Sequence, residues 1–143
     1  MNRSRLIRHP RRHDNPDLRR AWAEQHLSCA CCGRREGAFG GHLENHHIVK
    51  RGRIDDPRCL LRLCFCWDSD EPSCHYLAEG GQVRRSDGRL WPTLSLANCL
   101  HLKRESDPEN FDPTWLAGIL APRRLPVPEA LPVEFLEARR KWT

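Results

Sequence analysis

The sequence predicts an α+β domain: a short β-hairpin followed by a helix as the core, an N-terminal helix before it and a mostly helical extension after it. Three observations predict this. Hydrophobic residues make up only 38% of the 143 residues and charged residues 30%, so apolar burial is a weak organiser for this chain. Eight cysteines and eight histidines offer a staple of another kind. Two short runs, "HLENHHIV" and "RCLLRLC", read as strands and lie between segments that open with helix-start signals.

Taken in order, residues 1–14 form a basic arm with little to bury, expected to be disordered. Asn15-Pro16-Asp17 then combines an N-cap, a proline at the first helical position and an acid facing the positive dipole end. Leu18, Trp22 and His26 share one face of the helix that follows, which runs for about ten residues. Gly33 and Gly37 mark a turn after "SCACCGRREG". The first strand candidate comes next, then the loop "KRGRIDDP", then the second strand candidate. An acidic loop, "WDSDEPS", leads to "CHYLAEGG", a helical turn closed by glycines. Residues 15–82 are thus the expected core.

The expected extension, 83–121, starts with "QVRRSDGRLW", which alternates around a Ser-Asp-Gly turn and predicts a hairpin. "SLANCLHLKRE" predicts a helix, as do the segments opened by Asp107-Pro108 and Asp112-Pro113. Residues 122–143 read as a Pro-rich linker and a final short helix, "VEFLEARRKW". Trp91, Trp115 and Trp142 are expected to pack on the core or to form a homodimer surface.

The formal net charge is +5, with much of the excess in Arg3, Arg5, Arg8, Arg11, Arg12, Arg19 and Arg20. A polyanion is the natural partner of such an arm, bound through its phosphates with release of counterions. No apolar run approaches the roughly 20 residues that cross a bilayer, and no secretory leader precedes the arm, so no membrane partner is expected. A reducing, cytoplasmic compartment follows, and there clustered cysteines bind metal more often than they pair as disulfides.

Cys29 and Cys32 have the Cys-x-x-Cys spacing that lets one tight turn present two thiolates to a single zinc ion. Cys31 is an alternative member of that turn. The second pair comes from Cys64 or Cys66 together with Cys74, and the expected set is Cys29, Cys32, Cys64 and Cys74. Cys59 and Cys99 read as buried thiols that pack like small hydrophobes.

A Cys-x-x-Cys, then His46-His47-Ile48 on a strand, then a Leu-x-x-Leu-Cys strand, then Cys74-His75 at a helix start resembles the HNH endonucleases. The resemblance spans roughly residues 29–80 and implies a small ββα-metal core with a structural zinc. Carried over by position, it makes His46 a ligand of a catalytic divalent metal, His75 a second ligand, and His47 the general base that deprotonates the attacking water. An imidazole suits that role because its ordinary pKa, about 6.5, lies near working pH.

Two positions depart from the family pattern. Cys59 stands where the family places the asparagine that organises the loop or assists at the metal. Glu79 stands where many members have a last histidine, four residues after His75 and so on the same helix face. Its hard oxygen favours Mg2+ or Mn2+, with Zn2+ or Ni2+ as alternatives. Lys50, Arg51, Arg53 and Arg58 are expected to ring the site and hold the DNA backbone, with Arg11 and Arg12 of the arm assisting.

The implied activity is metal-dependent hydrolysis of DNA phosphodiester bonds, leaving 5′-phosphate and 3′-hydroxyl ends. A zinc-stapled nucleic-acid-binding module with a decayed active site is the alternative, and Cys59 and Glu79 are its motivation. Small free-standing proteins of this resemblance occur in bacteria and their phages.

Overall fold

Asn15 does cap the first helix: its side-chain oxygen accepts from the Leu18 N–H at 3.1 Å and opens α1 (Pro16–Glu24). The computed structural model describes residues 14–37, 40–68 and 70–142. The expected basic arm up to residue 13, with Arg11 and Arg12, therefore lies outside the described residues. Trp22 is the buried residue of α1, His26 stacks on it at 4.1 Å, and Leu18 stays half-buried.

The two strand candidates pair antiparallel as β1 (Gly41–His47) and β2 (Leu60–Cys66), placing Leu43 opposite Cys64 and His46 opposite Leu61. β2 starts later than expected. Asp56 and Pro57 build a 3-10 turn over Pro57–Cys59, with the Asp56 side chain accepting from the Arg58 N–H at 2.9 Å, so Arg58 and Cys59 leave the strand. A second such turn covers Arg51–Arg53, where Gly52 has φ +75° and Arg53 φ +44°. After β2 the chain turns through Pro72 into α2 (Cys74–Ala78), whose C-cap is Glu79. The mixed α+β architecture is thus a two-stranded antiparallel sheet among helices.

Beyond the core, two expectations change. The segment 83–90 makes one isolated bridge, Arg84 to Leu90, around the turn closed by Gly88, and no hairpin ladder forms; no further strand among the described residues pairs with it. Asp107-Pro108 opens only a 3-10 turn, Pro108–Asn110. Its carboxylate makes no cap bond there because it is held by Lys103 and Trp22. The other helices form as expected: α3 (Leu96–Ser106) with a Ser95/Asn98 capping box, α4 (Pro113–Leu120) capped by Asp112, and α5 (Val133–Arg140).

Leu43, Leu61, Leu63 and Leu77 share one buried cluster with Trp91, Leu100, Leu102, Leu116 and Phe135. The extension therefore completes the core, and the expected segment boundaries at 82/83 and 121/122 are not boundaries of packing. Each fully buried leucine contributes about 1.5–3 kcal/mol. No helix among the described residues is long and apolar enough to cross a membrane.

Lys103 fastens α3 to the start of β2. Its ammonium is fully buried and donates to the Pro57 and Leu60 carbonyls, the latter at 2.7 Å, and to Asp107 Oδ2 at 2.6 Å. Asp107 Oδ2 also accepts from Trp22 Nε1 at 3.0 Å, so one buried ion pair joins α1, α3 and the 50–59 loop. Lys103→Met leaves that carboxylate without its cation and should cost about 3–5 kcal/mol. Urea unfolding of the zinc-loaded protein checks this, and a loss under 1 kcal/mol, on the scale of an exposed pair, would show that the pair is not structural.

Candidate metal centres

Four sulfur atoms meet where the Cys29–Cys32 turn, β2 and the first residue of α2 come together. Cys29, Cys32, Cys64 and Cys74 are all buried, and their Sγ atoms lie within 4.8 Å of one another. The turn has the form a thiolate knuckle needs: the Cys32 N–H points at Cys29 Sγ at 3.5 Å, and Gly33 follows at φ +82°. Cys32 Sγ and Cys64 Sγ are 3.6 Å apart, far beyond a disulfide bond. That separation is close to the edge, about 3.8 Å, of a tetrahedron with Zn–S bonds of about 2.3 Å. The group can hold a structural metal ion such as zinc.

Burial and mutual hydrogen bonds divide the thiols of this group. Burial opposes charge on Cys29, yet hydrogen bonds from Cys32, Cys64 and Cys74 outweigh it and hold its thiol well below the usual range. Burial and hydrogen bonds with Cys29, Cys31, Cys32 and Cys64 push Cys74 up, and hydrogen bonds with Cys29 and Cys64 push Cys32 up as well. Arg34, fully buried, supplies positive charge beside the sulfurs: Nη1 is 3.8 Å from Cys64 Sγ and donates to the Pro72 carbonyl at 3.0 Å, while Nη2 pairs with Glu71. The open choices close. Cys66 is only half-buried and stands outside the group, two residues and about 6.6 Å further along β2. Cys31, though buried, is also outside it.

A second group forms on the side of the hairpin facing α2. His46 from β1, His75 from α2 and Glu79 at its cap also have ligand atoms within 4.8 Å of one another. His46 Nδ1 is 3.0 Å and His75 Nε2 3.2 Å from Glu79 Oε1. Burial, with His75 nearby, pushes the His46 imidazole down to about 4, which keeps it neutral and able to ligate. Burial works against charge on Glu79, but Lys50, with its Nζ 2.8 Å from Oε2, and His46 hold the carboxyl down to about 2. Glu44 supports the group from behind, its Oε1 2.9 Å from His75 Nδ1, as carboxylates support metal-ligating histidines. Two imidazoles and one carboxylate suit a borderline or hard divalent ion and leave positions open for water or substrate.

His47 points to the opposite side of β1. Its Nε2 is 2.9 Å from Asp55 Oδ1, and the Asp55 carboxylate is buried, with Oδ2 accepting from the Asn15 N–H at 3.0 Å and from Arg19 Nη1 at 2.8 Å. His47 still lines a cavity of about 380 Å³ with Asn45, Lys50, Arg53, His75 and Glu79, because the strand ends there.

The expected ring of cations is reduced. Lys50 and Arg53 line the cavity, and Arg53 is exposed, its side chain without a hydrogen-bond or ion-pair partner among the described residues. Arg51 donates to the Ala121 carbonyl at 2.6 Å. Arg58 turns away to pair with Asp56 at 2.9 Å and lies over the Trp115 ring at 3.9 Å. Cys59, expected at the catalytic site, is buried outside both ligand groups, with its Sγ 3.5 Å from the Val49 carbonyl and its thiol pushed up by burial.

Three residues that contact these groups or His47 escape a sequence reading. Glu44 carries a faint signal, since it lies two residues before His46 and so on the same face. Asp55 and Arg34 carry none beyond their charge. Comparison of the chain with models of known families, with characterised proteins and with solved structures yields no match.

The protein as purified should contain one zinc per chain. Cys64→Ser should abolish that zinc, and Cys66→Ser and Cys31→Ser should retain it, as read by metal analysis and by the thiolate-to-metal absorption of cobalt-substituted protein. Retention in Cys64→Ser would refute the assigned set.

Proposed function

We propose that this chain is a metal-dependent DNA endonuclease of the HNH type, with β1, β2 and α2 as its ββα-metal core and Cys29, Cys32, Cys64 and Cys74 holding a structural zinc. One observation carries the reading: His46, His75 and Glu79 converge from hairpin and helix, while the adjacent His47, held by a buried carboxylate, lines a cavity with His75 and Glu79.

His46, His75 and Glu79 would hold the catalytic divalent ion, Mg2+ or Mn2+ by the hardness of Glu79. Bound there, such an ion supplies charge stabilisation to the scissile phosphate and the departing sugar oxygen. His47 accepts the proton of the attacking water. Glu44 keeps the His75 ring turned toward its partners through the 2.9 Å contact. Arg53 takes a non-bridging phosphate oxygen, since Lys50 is already paired with Glu79. Cys59 does not do the work of the family's asparagine through its side chain. The loop is closed instead by the Ile48 N–H on the Cys59 carbonyl at 2.8 Å and by Lys103.

The zinc-loaded protein should nick plasmid DNA in Mg2+ or Mn2+ and stop in EDTA. His47→Ala should lower the rate about 10²–10⁴-fold with zinc content unchanged, and Arg53→Ala should mainly weaken DNA binding. DNA retarded on a gel with no cleavage in any metal would replace this reading with the binding module.

A further inference from the structure

Asp55 has no part in either ligand group, yet it is among the most tightly held charges in the protein. Its side chain is 1% exposed, and both oxygens are engaged: Oδ1 by His47 Nε2 at the end of β1, Oδ2 from outside the hairpin and α2 by the backbone of Asn15 and by Arg19 on α1. A buried carboxylate surrounded by donors is retained as an anion. An anionic carboxylate only accepts hydrogen bonds, so the ring nitrogen facing it must carry the hydrogen. In a neutral imidazole the lone pair then belongs to the other nitrogen. That nitrogen, Nδ1, has no partner among the described residues, and the ring borders the cavity that holds His75, Glu79 and Arg53.

We infer that Asp55, itself fixed by α1, is a positioning residue that holds His47 as the Nε2–H tautomer, so that Nδ1 is the atom that receives the proton. This rests on the reading of His47 as the general base. In the step, an O–H bond of water breaks and its proton passes to Nδ1. The oxygen's electron pair forms the new bond to phosphorus, and the bond from phosphorus to the 3′ oxygen breaks, that oxygen taking a proton from solvent. The resulting imidazolium lies against the Asp55 carboxylate until Nδ1 releases its proton to water.

Two features extend the inference from a contact to a design. Arg19 lies on α1 and Asn15 caps it, outside the hairpin and α2, so the first helix takes part in positioning the base. The 50–59 loop that carries Asp55 is itself anchored by the buried Lys103 through the Pro57 carbonyl, with the Leu60 carbonyl at the start of β2 held by the same ammonium. A rigid support of this kind is what a positioned base requires.

The test uses the zinc-loaded full chain labelled with 15N-histidine. In wild type the neutral His47 ring should show a protonated Nε2 and an unprotonated Nδ1. Asp55→Asn should move the hydrogen to Nδ1, because the amide can donate to Nε2, and should lower kcat by about 10²–10⁴-fold with KM for DNA changed by no more than about twofold. The matching aspartate-to-asparagine change in the serine-protease triad, where the wrong tautomer results, costs about 10⁴. Asp55→Glu should restore part of the lost kcat, and Arg19→Ala should lower kcat without altering zinc content. A wild-type ring with its hydrogen on Nδ1, or an Asp55→Asn enzyme with unchanged kcat, would overturn the inference. If wild type cleaves no DNA, the nuclease reading fails, while the tautomer in wild type and Asp55→Asn still decides the Asp55–His47 relation.

Discussion

Four buried thiols from three separate parts of the chain cannot be brought together for nothing. Desolvation disfavours their charge, yet the hydrogen bonds among them draw Cys29 toward the thiolate. A tetrahedral cation resolves that conflict, because its binding free energy, about 10–16 kcal/mol for zinc in small sites, becomes folding free energy. In a chain with 30% charged residues this constraint does what a larger apolar core does elsewhere. Arg34, buried against Cys64 and Glu71, offsets part of the negative charge of the sulfurs.

The geometry of the second group follows from the first. Cys64 fixes β2 and Cys74 fixes the first residue of α2, so the direction in which His75 and Glu79 project is set by their neighbour in sequence. β1 is held by its ladder to β2, with Leu43 opposite Cys64, and this sets the depth at which His46 meets them. The pair His46-His47 then uses the alternation of a strand: one ring is directed to α2 and the other to Asp55 and α1. Where β1 ends, His47 borders a cavity that His75 and Glu79 also line.

The cysteine group was anticipated from the Cys-x-x-Cys spacing of Cys29 and Cys32, while the meeting of His46, His75 and Glu79 was expected only through the family resemblance and the one-turn spacing of His75 and Glu79. The strands were legible from composition and the helix starts from Asn15-Pro16 and Asp112-Pro113. Asp107-Pro108 misled for a physical reason, since the carboxylate that caps an ordinary helix is taken by Lys103 and Trp22, contacts that span the chain. Asp55 was hidden likewise, for its partner His47 is close in sequence but Asn15 and Arg19 are distant. The basic residues were read by proximity in sequence alone, which could not show Arg58 turned onto Trp115 or Arg51 held by the Ala121 carbonyl.

The proposed nuclease needs a second, exchangeable metal site beside the zinc staple. Titration of zinc-loaded protein with Mn2+, followed by electron paramagnetic resonance, tests it most directly when wild type is set beside His75→Ala. One Mn2+ should bind per chain in addition to the zinc, and the variant should lose that Mn2+ alone. Binding of Mn2+ that His75→Ala leaves intact, or a wild-type chain that takes up zinc and nothing further, would contradict it.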